Sequence, residues 1–141
     1  MRDFFDTSVL VAAFWGGHAQ HAASLRRFAA ASPDQSACGI HTLAEVYASM
    51  SALPVKPLIP PEQAYLFVEE VRKRLTPVSL SDDEYLATIQ KASEQGLAGG
   101  RIYDALLLRC ATNCHAQNIY TLNLKHFQAI APSLAHRMRT P

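Results

Sequence analysis

The sequence has few charged residues and no long apolar run. Charged residues make up 18% of the 141 residues, against 49% hydrophobic residues, and this balance argues against a disordered chain. No apolar run reaches 18 residues, so we predict no membrane span. Asp3 and Asp6 interrupt the start of the chain, which is not the pattern of a secretory signal peptide. We therefore predict one globular domain over residues 1–141, with a core of its own.

The number of cysteines and the net charge are also low. Cys38, Cys110 and Cys114 are an odd set without an extracellular framework, so a reduced, cytoplasmic protein is the simplest interpretation. The formal net charge of +1 does not by itself indicate a nucleic-acid-binding protein. Basic residues cluster at 26–27 and 72–74, and acidic residues at 82–84, where solvated helix ends are the simplest explanation.

Short apolar segments alternate with segments of helical periodicity. The predicted strands cover residues 2–6, 36–40, 77–80 and 119–122. The predicted helices cover 8–14, 18–31, 42–50, 61–75, the stretch from Ser81 to about Gln95, a segment after Gly100, and 124–130. Ser81 and Glu84 have the spacing of a capping box. Strands that alternate with helices predict an α/β domain with a parallel sheet.

Three carboxylates stand at the boundaries of these segments. Asp6 ends the first strand, Glu45 follows the second by a few residues, and Asp104 begins a helix beside a Gly-rich loop. Ligands of such sheets bind beyond the carboxyl ends of the strands, so we expect all three acids to face one crevice. Carboxylates avoid apolar surroundings unless something pairs with them, and one divalent cation would pair with all three. Oxygen ligands suit Mg²⁺ or Mn²⁺, and such ions support phosphodiester hydrolysis.

Each acid also has a purely structural explanation. Thr42 and Glu45 have capping-box spacing, so Glu45 would only bond to the start of its own helix. Asp6 and Asp104 would only complement the dipoles of the helices that they begin. Ser8, close after Asp6, would add a hydroxyl ligand or bind a metal-bound water. The three acids together, in this order, favour the metal site.

The segments around these acids resemble the motifs of PIN-domain ribonucleases. They are Phe5–Leu10, Thr42–Tyr47, Tyr103–Leu107 and Thr121–Phe127. Length and motif order resemble the toxins of VapBC toxin–antitoxin pairs. The resemblance implies a PIN-like α/β fold, a parallel sheet with helices on both faces, and an acidic crevice that holds Mg²⁺ or Mn²⁺. It also implies endonucleolytic cleavage of RNA and a cognate antitoxin as partner.

The resemblance assigns roles residue by residue. Asp6, Glu45 and Asp104 take the catalytic and metal-ligand positions, and Ser8 takes the position of a supporting hydroxyl. The closing motif usually supplies a further acid where Asn123 or His126 stands, and neither residue is acidic here. Asn123 still offers an amide oxygen to a metal or its water. We therefore expect one tightly bound ion, and a second only when an RNA phosphate adds its charge.

Three functions remain open from the sequence. The first is a metal-dependent ribonuclease toxin, which we expect to form a homodimer and to bind an antitoxin. The second is a catalytically weak PIN module that acts by binding RNA or a protein, and the missing acid favours it. The third is a phosphoryl-transfer or receiver-type domain, which needs a close carboxylate pair that Asp3 and Asp6 do not provide. Trp15 either packs in the core or stacks on a nucleobase.

Overall fold

The computed structural model describes residues 1–141 and contains five strands, seven α-helices and one 3₁₀ helix. The strands are β1 (Asp3–Phe5), β2 (Ser36–Gly39), β3 (Thr76–Val78), β4 (Asn118–Tyr120) and β5 (Met138–Arg139). The α-helices are α1 (Thr7–Phe14), α2 (His21–Ala29), α3 (Ile40–Ser51), α4 (Pro61–Arg74), α5 (Asp82–Glu94), α6 (Arg101–Asn113) and α7 (Leu124–Ile130). The 3₁₀ helix covers Pro132–Arg137. None of the helices combines the length and apolarity that a membrane crossing requires.

The five strands form one parallel sheet in the order β3-β2-β1-β4-β5. The central strand β1 pairs with β2 on one side and with β4 on the other, so that Phe4 lies beside Ala37 and Ile119. Successive strands β1 to β3 extend the sheet in one direction, whereas β4 and β5 extend it in the other. The boundary between β1 and β4 is therefore the topological switch point, where ligands of parallel sheets bind.

The two faces of the sheet carry separate apolar clusters. Because side chains alternate along a strand, Phe4 and Phe5 point to opposite faces, and both are fully buried. Phe5 packs into a cluster with residues of α1, α2, α3 and α4, whereas Phe4 packs with residues of α6 and α7. Helix α5 packs on α6. The predicted parallel sheet with helices on both faces is confirmed.

Most predicted elements exist, with some shifted boundaries. The helix predicted from His18 begins at His21, because the chain before it forms a turn in which the His18 amide donates to the Trp15 carbonyl at 3.0 Å. The capping box is confirmed, because the Glu84 amide donates to Ser81 Oγ and the Ser81 amide donates to the Glu84 carboxylate, both at 3.1 Å. Strand β5 was not predicted, because two residues at the sheet edge carry no readable periodicity.

Candidate active site

A cavity of about 740 Å³ lies at the carboxyl ends of the central strands β1 and β4. Asp6, Glu45 and Asp104 all line it. Asp6 immediately precedes α1, Glu45 lies on α3, and Asp104 lies in the first turn of α6. The other lining residues are Thr7, Ser8, Val11, Trp15, His18, Gln20, Ser49, Leu122, Asn123, Thr140 and Pro141. Three acids that are distant in sequence therefore line one cavity. No Lys or Arg side chain is among its lining residues.

Two hydroxyl groups hold the carboxylate of Asp6, which is only 3% exposed. Ser8 Oγ donates to Asp6 Oδ2 at 2.6 Å, and Thr121 Oγ1 donates to the same oxygen at 3.0 Å. Ser8 Oγ also accepts the amide of Leu122 at 3.0 Å. Since its proton is directed at Asp6, Ser8 in this structure orients the carboxylate and ties it to the segment that follows β4.

Thr121 and Thr7 both support the site, and the sequence indicated neither. The side chain of Thr121 is fully buried, and besides donating to Asp6 it accepts the amide of Asn123 at 2.9 Å. Thr121 lies within the closing motif, but the family resemblance assigns it no role. The available signal was a hydroxyl residue directly after a buried strand, where a polar group needs a partner.

Glu45 is held by Thr7, and not by its own helix start. Thr7 Oγ1 donates to Glu45 Oε1 at 3.1 Å and lies 3.2 Å from Thr42 Oγ1. Helix α3 begins at Ile40 instead of Thr42, and no side chain caps its start. Glu45 thus lies in the second turn of α3, and the capping-box explanation for Thr42 and Glu45 is wrong.

Close packing fixes α6, and with it Asp104, against the end of β2. Gly39 ends β2, and a Cβ atom there would lie 2.5 Å from Cδ2 of Leu107, which is itself buried. Leu107 follows Asp104 by one turn of α6. A side chain at position 39 would have to displace this packed leucine. Gly39 also directly precedes α3, so the same contact sets Asp104 relative to Glu45.

The pKa values of all three carboxyl groups are raised. Burial is the largest cause for Asp6, and the hydrogen bonds from Ser8 and Thr121 only partly oppose it. Burial also raises the pKa of Glu45, against the hydrogen bond from Thr7. Asp104 has a pKa of about 6, because burial is reinforced by the negative charges of Asp6 and Glu45. The cavity therefore holds uncompensated negative charge, as cation sites and catalytic sites do.

The donor set fits a hard cation that keeps part of its water shell. No three His, Cys, Asp or Glu side chains lie close enough together to hold one ion directly. An ion in this cavity would therefore contact some of the three carboxylates through its water shell. Mg²⁺ commonly retains several waters and uses one or two protein carboxylates, with Mn²⁺ favouring the same oxygen donors. Acids that face a shared cavity without direct contact suit such a hydrated ion.

Of the two closing-motif residues, Asn123 is the one that lines the cavity. It precedes α7 and makes no capping bond with its side chain, so its amide is available to the cavity. His126 lies one turn further along α7 and is exposed. It does not line the cavity, although its charge, like that of Arg101, opposes the raised pKa of Asp104.

Comparison with known proteins identifies the family. A family model described as the PIN domain matches residues 4–131. The chain belongs to the PIN-domain family. A search of curated proteins finds no match.

Three solved structures share the fold of this PIN-domain protein. One is Mycobacterium tuberculosis VapC20, described as a sarcin-ricin loop cleaving toxin, with TM-score 0.72 and 17% identity over 90% of this chain and 94% of that chain. A second is Rickettsia felis VapBC2 bound to a DNA fragment from its promoter, with TM-score 0.66 and 20% identity over 100% and 99%. The third is VapBC-1 of nontypeable Haemophilus influenzae, with TM-score 0.64 and 18% identity over 99% and 98%. At such identities the likeness concerns the fold alone.

Proposed function

We propose that this PIN-domain protein is a metal-dependent endoribonuclease that hydrolyses RNA phosphodiester bonds. The observation that carries the proposal is the cavity that Asp6, Glu45 and Asp104 share. The pKa values of all three carboxyl groups are raised, and no Lys or Arg lines the cavity. An anionic phosphate cannot enter such a cavity unless cations neutralise it. Mg²⁺ or Mn²⁺ would supply that charge and an activated water when bound.

The chain's own residues then have distinct tasks. Asp6, Glu45 and Asp104 would hold the hydrated ion. Ser8 and Thr121 keep the Asp6 carboxylate in one orientation, because both donate to the same oxygen. Thr7 does the same for Glu45. These hydroxyl groups hold the two carboxylates in fixed orientations, so that little rearrangement is needed when a cation binds.

The test is incubation of structured RNAs with the purified protein, with and without Mg²⁺ or Mn²⁺, beside the variant Asp104→Asn. We expect internal cleavage that requires the cation and is lost in the variant. Cleavage that persists in a chelator, or in Asp104→Asn at the wild-type rate, would contradict the proposal.

A catalytically weak PIN module remains the second candidate, and Asn123 is the observation that favours it. An amide stands in the cavity where the family resemblance places a further acid, so the site carries one negative charge fewer. If this candidate is correct, the protein binds RNA or a protein partner without measurable cleavage under any divalent cation.

We also infer that the protein is the toxin of a toxin–antitoxin pair and forms a homodimer. The Rickettsia and Haemophilus neighbours are described as VapBC, which is the paired form. Apolar side chains are exposed on this chain, among them Leu66, which is 57% exposed on α4. An antitoxin helix would cover such surface and bring a basic residue to the acidic cavity. Co-purification from the native host that yields only a monomer, with no small companion, would contradict both inferences.

Two further predictions concern the domain boundaries and the location in the cell. A single domain over residues 1–141 is consistent with the family match to residues 4–131. A cytoplasmic location is consistent with three free cysteines. Limited proteolysis tests the first, and fractionation of the native host tests the second.

A further inference from the structure

The cavity extends well beyond the three acids. Trp15, His18 and Gln20, from the connection between α1 and α2, line it together with Val11. We refer to these four residues as the α1–α2 wall. None of them is acidic, so they add no negative charge to the cation site. A volume of about 740 Å³ lies in the range of small-molecule pockets, which leaves room for a nucleoside beside a phosphate.

The α1–α2 wall is built rigidly. The rings of Trp15 and His18 meet edge to face, with centroids 5.8 Å apart and planes at 76°. The Trp15 amide donates to the Val11 carbonyl at 2.9 Å, and the Gln20 amide donates to His18 Nδ1 at 2.9 Å. Gly17 passes along the indole so closely that a Cβ there would lie 3.0 Å from Nε1. The two rings are thus held in place before any ligand arrives.

The wall offers the groups that recognise a nucleobase. Because His18 Nδ1 accepts a hydrogen bond, the neutral ring carries its proton on Nε2, which is then a donor. The exposed side chain of Gln20 offers both a donor and an acceptor. The indole of Trp15 is partly buried against the core cluster, and it also lines the cavity, where it supplies an apolar ring on which any base can stack. With a neutral His18 ring, the three side chains carry no charge. They therefore suit an uncharged nucleobase better than an anionic phosphate.

We propose that the α1–α2 wall is a subsite for one unpaired nucleobase, adjacent to the phosphate that the acids and their cation receive. The position of that phosphate rests on the proposed function, but base binding itself does not require cleavage. Stacking on Trp15 supplies the affinity, and His18 and Gln20 supply the preference among bases. A base reaches the indole only after leaving its own stack, which costs least where it is not paired.

Trp15 is the only tryptophan of the chain, so its fluorescence reports directly on the subsite. The experiment titrates the protein, in Mg²⁺, with adenosine 5′-monophosphate, uridine 5′-monophosphate and ribose 5-phosphate. None of these contains a bond that the proposed activity would cut. We expect saturable quenching by both nucleotides and none by the sugar phosphate. Equal quenching by all three would overturn the subsite.

Variants then separate stacking from general packing. Loss of one base stack is worth about a 5- to 150-fold loss of affinity, so calorimetry should find adenosine 5′-monophosphate weakened by that factor in Trp15→Ala. Trp15→Phe should restore part of the affinity, and Gln20→Ala should change the ratio between the two nucleotides. Tyr65→Ala removes an exposed ring on α4 outside the cavity and should change nothing. Unchanged affinity in Trp15→Phe, Gln20→Ala and His18→Ala would contradict the proposal even if Trp15→Ala does not fold.

The proposed nucleobase subsite and the proposed nuclease activity can be refuted independently of each other. RNA cleavage without nucleotide quenching would refute the subsite and leave the nuclease intact. Nucleotide-specific quenching in a protein that cleaves no RNA would support the subsite and refute the nuclease.

Discussion

The hydroxyl of Thr121 donates a hydrogen bond to the carboxylate of Asp6 at 3.0 Å, although 115 residues separate the two in sequence. Both side chains are buried, and the same hydroxyl accepts the amide of Asn123. One small side chain therefore joins the end of β1, the end of β4 and the start of α7. It fixes Asp6, the most deeply buried of the three acids, relative to Asn123, which is one of the two positions where the family resemblance places a further acid.

Replacing Thr121 by Val should destabilise the protein and weaken its cation binding. Valine has nearly the same shape, but it leaves Asp6 with one donor fewer and the Asn123 amide without its partner, at a cost of about 1–3 kcal/mol. Chemical denaturation and Mn²⁺ calorimetry measure the two effects. Thr121→Ser keeps the hydroxyl and should stay near wild type in both. Equal stability of Thr121→Val and wild type would show that this hydroxyl is not needed to hold the site.

Without divalent cations, the protein should lose stability as the pH rises through about 6. The pKa of Asp104 is raised from 3.8 to about 6, so between these values the native state binds more protons than the unfolded chain. Protonation in that window therefore stabilises the native state, and deprotonation removes the gain. Glu84, whose pKa is lowered to about 2, acts with the opposite sign but only below its ordinary value of 4.5. Between pH 5 and 7.5, the change in stability therefore reports on the carboxyl groups of the cavity and not on Glu84.

Thermal unfolding in a chelator at pH 5 and pH 7.5 measures this effect. Asp104→Asn removes one of the repelling charges, and it should raise the melting temperature at pH 7.5 by a few degrees and flatten the pH dependence. Mg²⁺ should stabilise wild type at pH 7.5 more than it stabilises the variant. A melting temperature that rises from pH 5 to pH 7.5 in wild type would contradict the raised pKa values.

The sequence was sufficient to predict the architecture because the relevant signals are local. Apolar runs, prolines and the capping box at Ser81 each act within a few residues, and the acids stand at the ends of such segments. The hydrogen bond from Thr121 to Asp6 was not predictable, because it depends on which strands become neighbours. The same holds for Thr140 and Pro141, which reach the cavity only because β5 pairs with β4. The role of Glu45 was ambiguous for a local reason. Thr42 and Glu45 have the spacing of a capping box, although the helix begins at Ile40.

Introducing an acid at Asn123 should strengthen cation binding, whereas the same change at His126 should not. Asn123 lines the cavity and His126 does not. A fourth carboxylate facing the ion should raise its affinity by about tenfold or more, even after screening by water. Calorimetric titration of Asn123→Asp and His126→Asp with Mn²⁺ compares them directly. A larger gain in His126→Asp would mean that the closing motif faces the ion differently.

Substituting Gly39 by Ala should destabilise the fold and disturb the spacing of two acids. The added methyl group would meet Leu107 inside a packed interior, and such overpacking costs about 1–3 kcal/mol. Leu107 must then move against its packed neighbours, and any accompanying shift of α6 moves Asp104 relative to Glu45, which should lower the cation affinity as well. Gly16→Ala is the matched control, because a Cβ there meets nothing within 4 Å. Equal denaturation midpoints for the two variants would refute the close-packing argument.

The most direct test of the central claim, that the three acids act as one catalytic unit, is the rate of RNA cleavage in single and double variants. Asp6→Asn and Asp104→Asn should each reduce the Mn²⁺-dependent rate by about 100-fold or more, since each removes part of the same ion site. The double variant should be little slower than either single variant, because residues that act as a unit are not additive. Asp82→Asn, an exposed acid at the start of α5, should retain the wild-type rate. Single variants within a few-fold of wild type, or effects that multiply in the double variant, would contradict the account.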